Sequence, residues 1–244
     1  MDYSIIIYII FGILPSLAWL TYYLKKDLHP EPKRKILEVF LWGALITIPV
    51  FFIQIGFTFL LGKISFNSNV SAIIYWFLII SFSEELFKYL VVKMRIFDSP
   101  DLDEPLDIML YMVVAALGFA ALENILYLFS PIGTLSFGDL IGKTLVIVFI
   151  RFIGATFLHT LCSAVIGYAV AISLFDQKNS FIEATAGVVV AVLLHGLYDF
   201  SIMTLKGYMQ FLLPGAIILT LALIVFSSFE RLKKLKGITV LNNL

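Results

Sequence analysis

Long apolar runs separated by short polar interruptions set the pattern of this chain. Seven runs, at about 4–24, 36–61, 70–92, 105–129, 141–175, 182–204 and 208–230, reach the length a helix needs to cross a membrane, about 20 residues for a hydrocarbon core of roughly 30 Å. The interruptions carry turn-forming residues, as in "KKDLHPEPKRK", "GKISFNSN" and "RIFDSPDLDEP", and none is long enough to hold a soluble domain. The pattern predicts an all-α polytopic membrane protein with about seven transmembrane helices in one bundle domain over 1–244. The fifth run exceeds a single crossing, so it is expected to tilt, to extend into the cytoplasm or to break near Gly154.

Composition strengthens this reading. The chain is 61% hydrophobic and only 14% charged, where soluble domains carry roughly 25% charged residues. Its net charge is zero, so no nucleic acid or other polyanion is implied as a partner. The partner that composition does imply is the lipid bilayer, with the cell membrane as the expected location. The single cysteine, Cys162, excludes an intrachain disulfide and a paired-cysteine metal site. The first run has no basic start, which reads as a true span rather than a cleaved signal. Basic residues set the orientation. Lys25, Lys26, Lys33, Arg34, Lys35, Lys93, Arg95, Lys178, Arg231, Lys233, Lys234 and Lys236 fall in alternate connections, against Lys63, Lys143 and Lys206 in the others. This predicts an N-terminus outside and a C-terminus in the cytoplasm.

The polar residues inside the runs carry the chemistry. A charge at mid-membrane costs about 3 kcal/mol on insertion scales, so such residues face the bundle interior and find partners. They are Glu84, Glu85 and Lys88 in the third run, Glu123 and Asn124 in the fourth, Arg151 and His159 in the fifth, and His195 and Asp199 in the sixth. The first, second and seventh runs carry almost none, which places a catalytic core at approximately 70–205. Residues four apart share a helix face. Glu84 therefore stacks with Lys88, Glu123 with Tyr127, His159 with Ser163, and His195 with Asp199. Glu85 points about 100° away from Glu84 and reads as the freer acid. Alternating span directions put Glu84 and His159 near the middle, with Glu123, Arg151 and Asp199 in the outer half. Small residues such as Gly118, Gly154, Gly167 and Gly187 predict close packing of these helices.

Two carboxylates and two histidines on packed helices can activate water. One glutamate would take the proton and a histidine would assist or stabilise an oxyanion. The same set could hold a divalent metal such as zinc, with His159, His195 and Glu123 as candidate ligands and a second glutamate as base. The H-E-x-x-H helix motif is absent. Lys88 and Arg151 would balance the buried acids, Arg151 as a brace for Glu123. Ser163 and Asp199 would support the histidines. On residue types alone a proton-coupled transporter fits equally well, because acid–histidine relays also mark proton paths. The His159/Ser163 and His195/Asp199 pairs read as well as satisfied core pairs, and Phe119 and Tyr127 as packing residues.

The motifs, taken in order, resemble the PrsW family of intramembrane proteases, distant relatives of type II CAAX prenyl proteases and ABI membrane proteins. "PSLAWLTYYLKKDLHPEPKRK" is similar to that family's first loop with its H-P-E-P signature, and "EELFKYLVVK" to its E-E-x-x-K motif. Phe119 and Glu123 supply an F-x-x-x-E, His159 and Ser163 an H-x-x-x-S, and His195 and Asp199 an H-x-x-x-D. The resemblance implies an endopeptidase cutting a membrane-tethered protein, with an anti-sigma factor of a stress-signalling cascade as partner. It implies catalytic roles for Glu84, Glu85, Glu123, His159, His195 and Asp199. Glu123 stands where the prenyl proteases have a histidine, so the implied water-activating pair is two glutamates or a glutamate with His159. Metallo- and glutamate-type chemistry both remain open at this point, as does a noncatalytic binding or immunity role, which some of the relatives have.

Overall fold

The computed structural model describes residues 3–27, 29–129, 137–175 and 180–235. These form α1 (Tyr3–Leu24), α2 (Lys33–Leu61), α3 (Ser68–Ile73), a π-helical stretch (Ile74–Ser81), α4 (Phe82–Ile96), α5 (Pro105–Phe129), α6 (Phe137–Ile153), α7 (Ala155–Phe175), α8 (Ser180–Thr204) and α9 (Met209–Leu232). There is no strand among the described residues. Seven helical spans are long and apolar enough to cross a membrane, because α3, the π stretch and α4 form one span and α6 with α7 another. The expected all-α architecture stands. Residues 130–136 and 176–179, which hold expected turns and Lys178, lie outside the described residues.

The spans are not equivalent. α5 is the central helix, packed by α1, α2, α4 and α7. Its most apolar window is 94% buried, against 22% for α2, which turns most of its surface outward. Glycines make the tight contacts possible. A Cβ on Gly118 would lie 1.9 Å from the Phe40 carbonyl oxygen, and one on Gly43 2.1 Å from that of Ala115, so α2 and α5 cross backbone to backbone. Gly167 does the same for α7 against Met109. α5 starts at Pro105, whose missing N–H costs nothing in the first turn. The Asp107 carboxylate accepts from the Asp103 and Glu104 backbone N–H groups at 3.0 and 2.6 Å.

Two irregularities sit beside the polar cluster. The fifth span does break at Gly154, between α6 and α7. Helical hydrogen bonds pass through the break, from Gly154 N–H to Ile150 O and from Leu158 N–H to Gly154 O. Glycine at this point lets Tyr198 approach closely: a Cβ at Gly154 would meet its hydroxyl at 2.5 Å. The third span is π-helical from Ile74 to Ser81, just before the glutamate pair. π turns loosen the carbonyl ladder. Here Ser83 Oγ lies 2.5 and 2.9 Å from the Ile79 and Ile80 carbonyls, and Ser81 Oγ donates to Val192 O on α8 at 2.6 Å.

Candidate active site

The charged side chains of four spans meet in one buried network. On α4, Glu84, Glu85 and Lys88 are all buried. Lys88 Nζ donates to Glu85 Oε1 at 2.8 Å and to His159 Nδ1 at 2.8 Å. It lies 3.6 Å from Glu84 Oε2 and 4.5 Å from the centre of the Phe119 ring. Lysine can only donate, so His159 Nδ1 is the acceptor. The ring proton is then on Nε2, which donates to Glu123 Oε2 at 2.9 Å. Arg151 Nη2 meets that same oxygen at 2.6 Å, and Arg151 Nε donates to Asn124 Oδ1. The Arg151 guanidinium also stacks 3.9 Å above the Tyr127 ring. Among the described residues, both contacts of Glu123 fall on Oε2 and none on Oε1.

Glu85 is the most heavily engaged acid. Beside Lys88 it accepts from Ser163 Oγ at 3.0 Å and pairs with His195 Nδ1 at 2.9 Å. Ser163 thus serves Glu85 rather than its helix neighbour His159. The expectation from helix spacing, that Lys88 would claim Glu84 and leave Glu85 free, is reversed. A lysine stem reaches both the third and the fourth residue before it, and the closer oxygen belongs to Glu85. Glu84 is the freer acid. Its Oε1 accepts from Gln54 Nε2 at 3.2 Å, while its Oε2 is buried without a hydrogen-bond partner.

That orphaned oxygen faces His159 Nδ1 at 3.8 Å and His195 Nε2 at 3.9 Å. Such an atom costs about 1–3 kcal/mol unless something compensates it. Among the described residues, Glu84, His159 and His195 form a compact donor group within the apolar spans. In a tetrahedral zinc site, ligand atoms about 2.0–2.1 Å from the ion lie roughly 3.4 Å apart; here the three ligand atoms lie within 4.8 Å of one another, so they would draw together around an ion. The outer contacts suit a metal too. Metal-binding histidines commonly hand their second ring N–H to a carboxylate. His195 has Glu85 on Nδ1, and His159 has Glu123 on Nε2. Charge points the same way: Glu84, Glu85, Glu123 and Asp199 face two permanent cations, Lys88 and Arg151. A divalent ion would cancel the difference. Binding through His159 Nδ1 requires Lys88 to withdraw toward Glu85.

The cluster opens into a cavity of about 520 Å³, lined on its polar side by Gln54, Glu84, Glu123, His159, His195 and Asp199. Asp199 Oδ2 lies 3.3 Å from His195 Nε2, on the side that faces Glu84. Every candidate residue from the sequence therefore joins one network, with Lys88, Arg151 and Ser163 as its links. Glu84, rather than Glu123, completes the tight triplet with the histidines. Gln54 is absent from the candidates the sequence offers, and its signal is its being the one amide in α2, where only Thr47 and Thr58 share the polar character beyond the first turns. The H-P-E-P signature is structural where it can be seen: His29 pairs with Glu104 at 2.6 Å, and buried Glu31 accepts from the Tyr111 hydroxyl at 2.6 Å. It fastens the α1–α2 connection to the start of α5.

The chain is similar to known proteins along most of its length. A family model described as "PrsW family intramembrane metalloprotease" matches residues 31–229. Protease PrsW of Oceanobacillus iheyensis is 31% identical over 232 residues, 95% of this chain and 97% of that protein. Protease PrsW of Bacillus subtilis is 30% identical over 210 residues, 85% of this chain and 88% of that protein. No solved structure matches the chain at comparable significance.

Proposed function

The chain belongs to the PrsW family of intramembrane metalloproteases and is a membrane-embedded peptidase; on that premise we propose how its buried network cuts a peptide bond. The observation that carries the reading is Glu84 Oε2, which has the Lys88 ammonium 3.6 Å away but no hydrogen bond and is turned toward two imidazoles at the wall of a cavity. Glu84 Oε2, His159 Nδ1 and His195 Nε2 would hold a divalent metal, for which zinc is the natural candidate given two nitrogens and a carboxylate. Asp199 Oδ2, 3.3 Å from His195 Nε2, lies beside this group rather than in it. When bound, such an ion supplies Lewis acidity toward the scissile carbonyl and the attacking water.

The chain's own residues do the rest. Glu85 and Glu123 fix the ring orientation of His195 and His159. Glu123 takes a proton from water on Oε1 and returns it to the leaving amine, while Arg151 holds its other oxygen in place. Lys88 compensates the glutamate pair. Apolar walls such as Val50, Phe51, Ile80 and Leu158 limit water to what the cavity admits.

The substrate is a membrane-tethered protein, and the motif resemblance favours an anti-sigma factor cut at its first site. Basic residues bias the bundle toward an N-terminus outside, so the outer half of the membrane is the expected place of cleavage. The test is reconstitution in liposomes with a membrane-tethered anti-sigma-type substrate, scoring cleavage and metal content together. Glu84→Gln, His159→Ala and His195→Ala should lose both. Glu123→Gln should keep its metal and lose cleavage. Normal cleavage by Glu123→Gln, or full metal content in Glu84→Gln, would overturn the assignment.

A further inference from the structure

Glu84 can serve as a metal ligand only if one particular oxygen points at the histidines. A carboxylate rotates about its last bond with a broad, twofold preference, so nothing intrinsic distinguishes its two oxygens. Here something does. Gln54 reaches in from α2, the span with the most outward-facing surface near the cluster, and its Nε2 touches both Glu84 Oε1 and Ser83 Oγ at 3.2 Å. Ser83 is itself tied to the π stretch through Ile79 and Ile80. The other polar α2 residue on the cavity, Thr47, donates to backbone carbonyls of Gly43 and Phe119 and offers the cluster nothing.

We infer that Gln54 is a positioning residue for the metal centre: by occupying Oε1 of Glu84 and anchoring it to Ser83, it turns Oε2 toward His159 and His195. This rests on the metal reading above. Gln54 touches neither histidine. It acts only through Glu84, as outer-shell partners of metal sites do.

The experiment measures Zn²⁺ affinity of the full-length protein in detergent by competition with a chromophoric chelator, beside thermal unfolding of the metal-free forms. Gln54→Met keeps length and volume but removes the donor. It should lower Zn²⁺ affinity by about 10–100-fold, the usual effect of losing an outer-shell partner, with metal-free unfolding unchanged. If that variant fails to fold, Gln54→Asn, which withdraws the amide by one methylene, carries the same expectation. Affinity within about twofold of wild type, far short of an outer-shell effect, overturns the inference. So does a loss of affinity matched by an equal loss of metal-free stability, because Gln54 would then be holding α2 in place. Wild-type protein that takes up no Zn²⁺ overturns the metal reading itself. Zn²⁺ uptake by wild type with an unaffected Gln54→Met overturns this inference alone.

Discussion

Lys88→Met tests the charge logic of the cluster directly. Lys88 is fully buried, and its ammonium sits 2.8 Å from Glu85 Oε1, 3.6 Å from Glu84 Oε2 and 2.8 Å from His159 Nδ1. Methionine keeps the apolar stem and removes the charge. Taking away one partner of a buried ion pair costs about 3–5 kcal/mol, because the other is left uncompensated. The reverse substitution on the acid side should undo much of this. In the double variant Lys88→Met/Glu85→Gln, the two losses should fall short of additive by at least about 2 kcal/mol, the mark of residues in one network. Metal should also substitute for the missing ammonium. With His159 Nδ1 freed, Zn²⁺ at 100 times its dissociation constant should restore about 2.7 kcal/mol. The assay is denaturant unfolding in micelles, with and without metal, read as a change in midpoint at constant slope. A single-variant loss below about 1 kcal/mol, smaller than any buried pair should give, refutes the reasoning. Strict additivity in the double variant refutes it as well.

Gly118→Ala should destabilise the α2–α5 crossing by at least about 1–3 kcal/mol, the cost of overpacking, because the new methyl would stand 1.9 Å from a backbone oxygen that cannot rotate away. Gly56→Ala, with nothing within 4 Å, should stay within about 0.5 kcal/mol of wild type. Equal unfolding midpoints for the two would contradict the crossing. Burial pushes the Glu31 carboxyl above the usual glutamate range, helped by nearby Asp27 and Asp103 and opposed by hydrogen bonds from Tyr111 and Asp107. The folded state then holds more protons than the unfolded chain between the ordinary value and the raised one, so stability should fall as pH rises through that window. Glu31→Gln should flatten this part of the midpoint-versus-pH curve; an unchanged slope would show that other groups cause it.

The sequence made the spans legible because hydropathy reports length and composition, and both are enough to identify a membrane helix. It could not rank them. α5 and α2 look alike in hydropathy although one is enclosed and the other faces outward, because lipid and protein interior are both apolar. The π turns were hidden for a similar reason: the first seven residues of "IYWFLIIS" are aliphatic or aromatic, with no charged or amide side chain to reveal a change of period before Ser81. The cluster itself was readable because charges are too costly in this medium to be placed idly. Which oxygen meets which nitrogen was not, since a flexible lysine decides between Glu84 and Glu85 by fractions of an ångström. Gln54 is hard to single out from sequence because an uncharged amide is a weak signal beside carboxylates and histidines.

The enclosure of α5 bears on how the protein is made. Translation delivers this helix before α6 and α7 exist, yet Glu123 is matched by Arg151 and His159 from those later helices. About 45 residues separate the end of α5 from the end of α7, which at ~5–20 residues per second leaves the carboxylate waiting for several seconds. During that interval the nascent bundle holds a span that is apolar enough to enter the membrane but complete only once its successors arrive. Variants at Arg151 or His159 would prolong the wait indefinitely. Their first phenotype should be loss of the protein to quality-control proteolysis, visible as low abundance of newly made chains before any activity is measured.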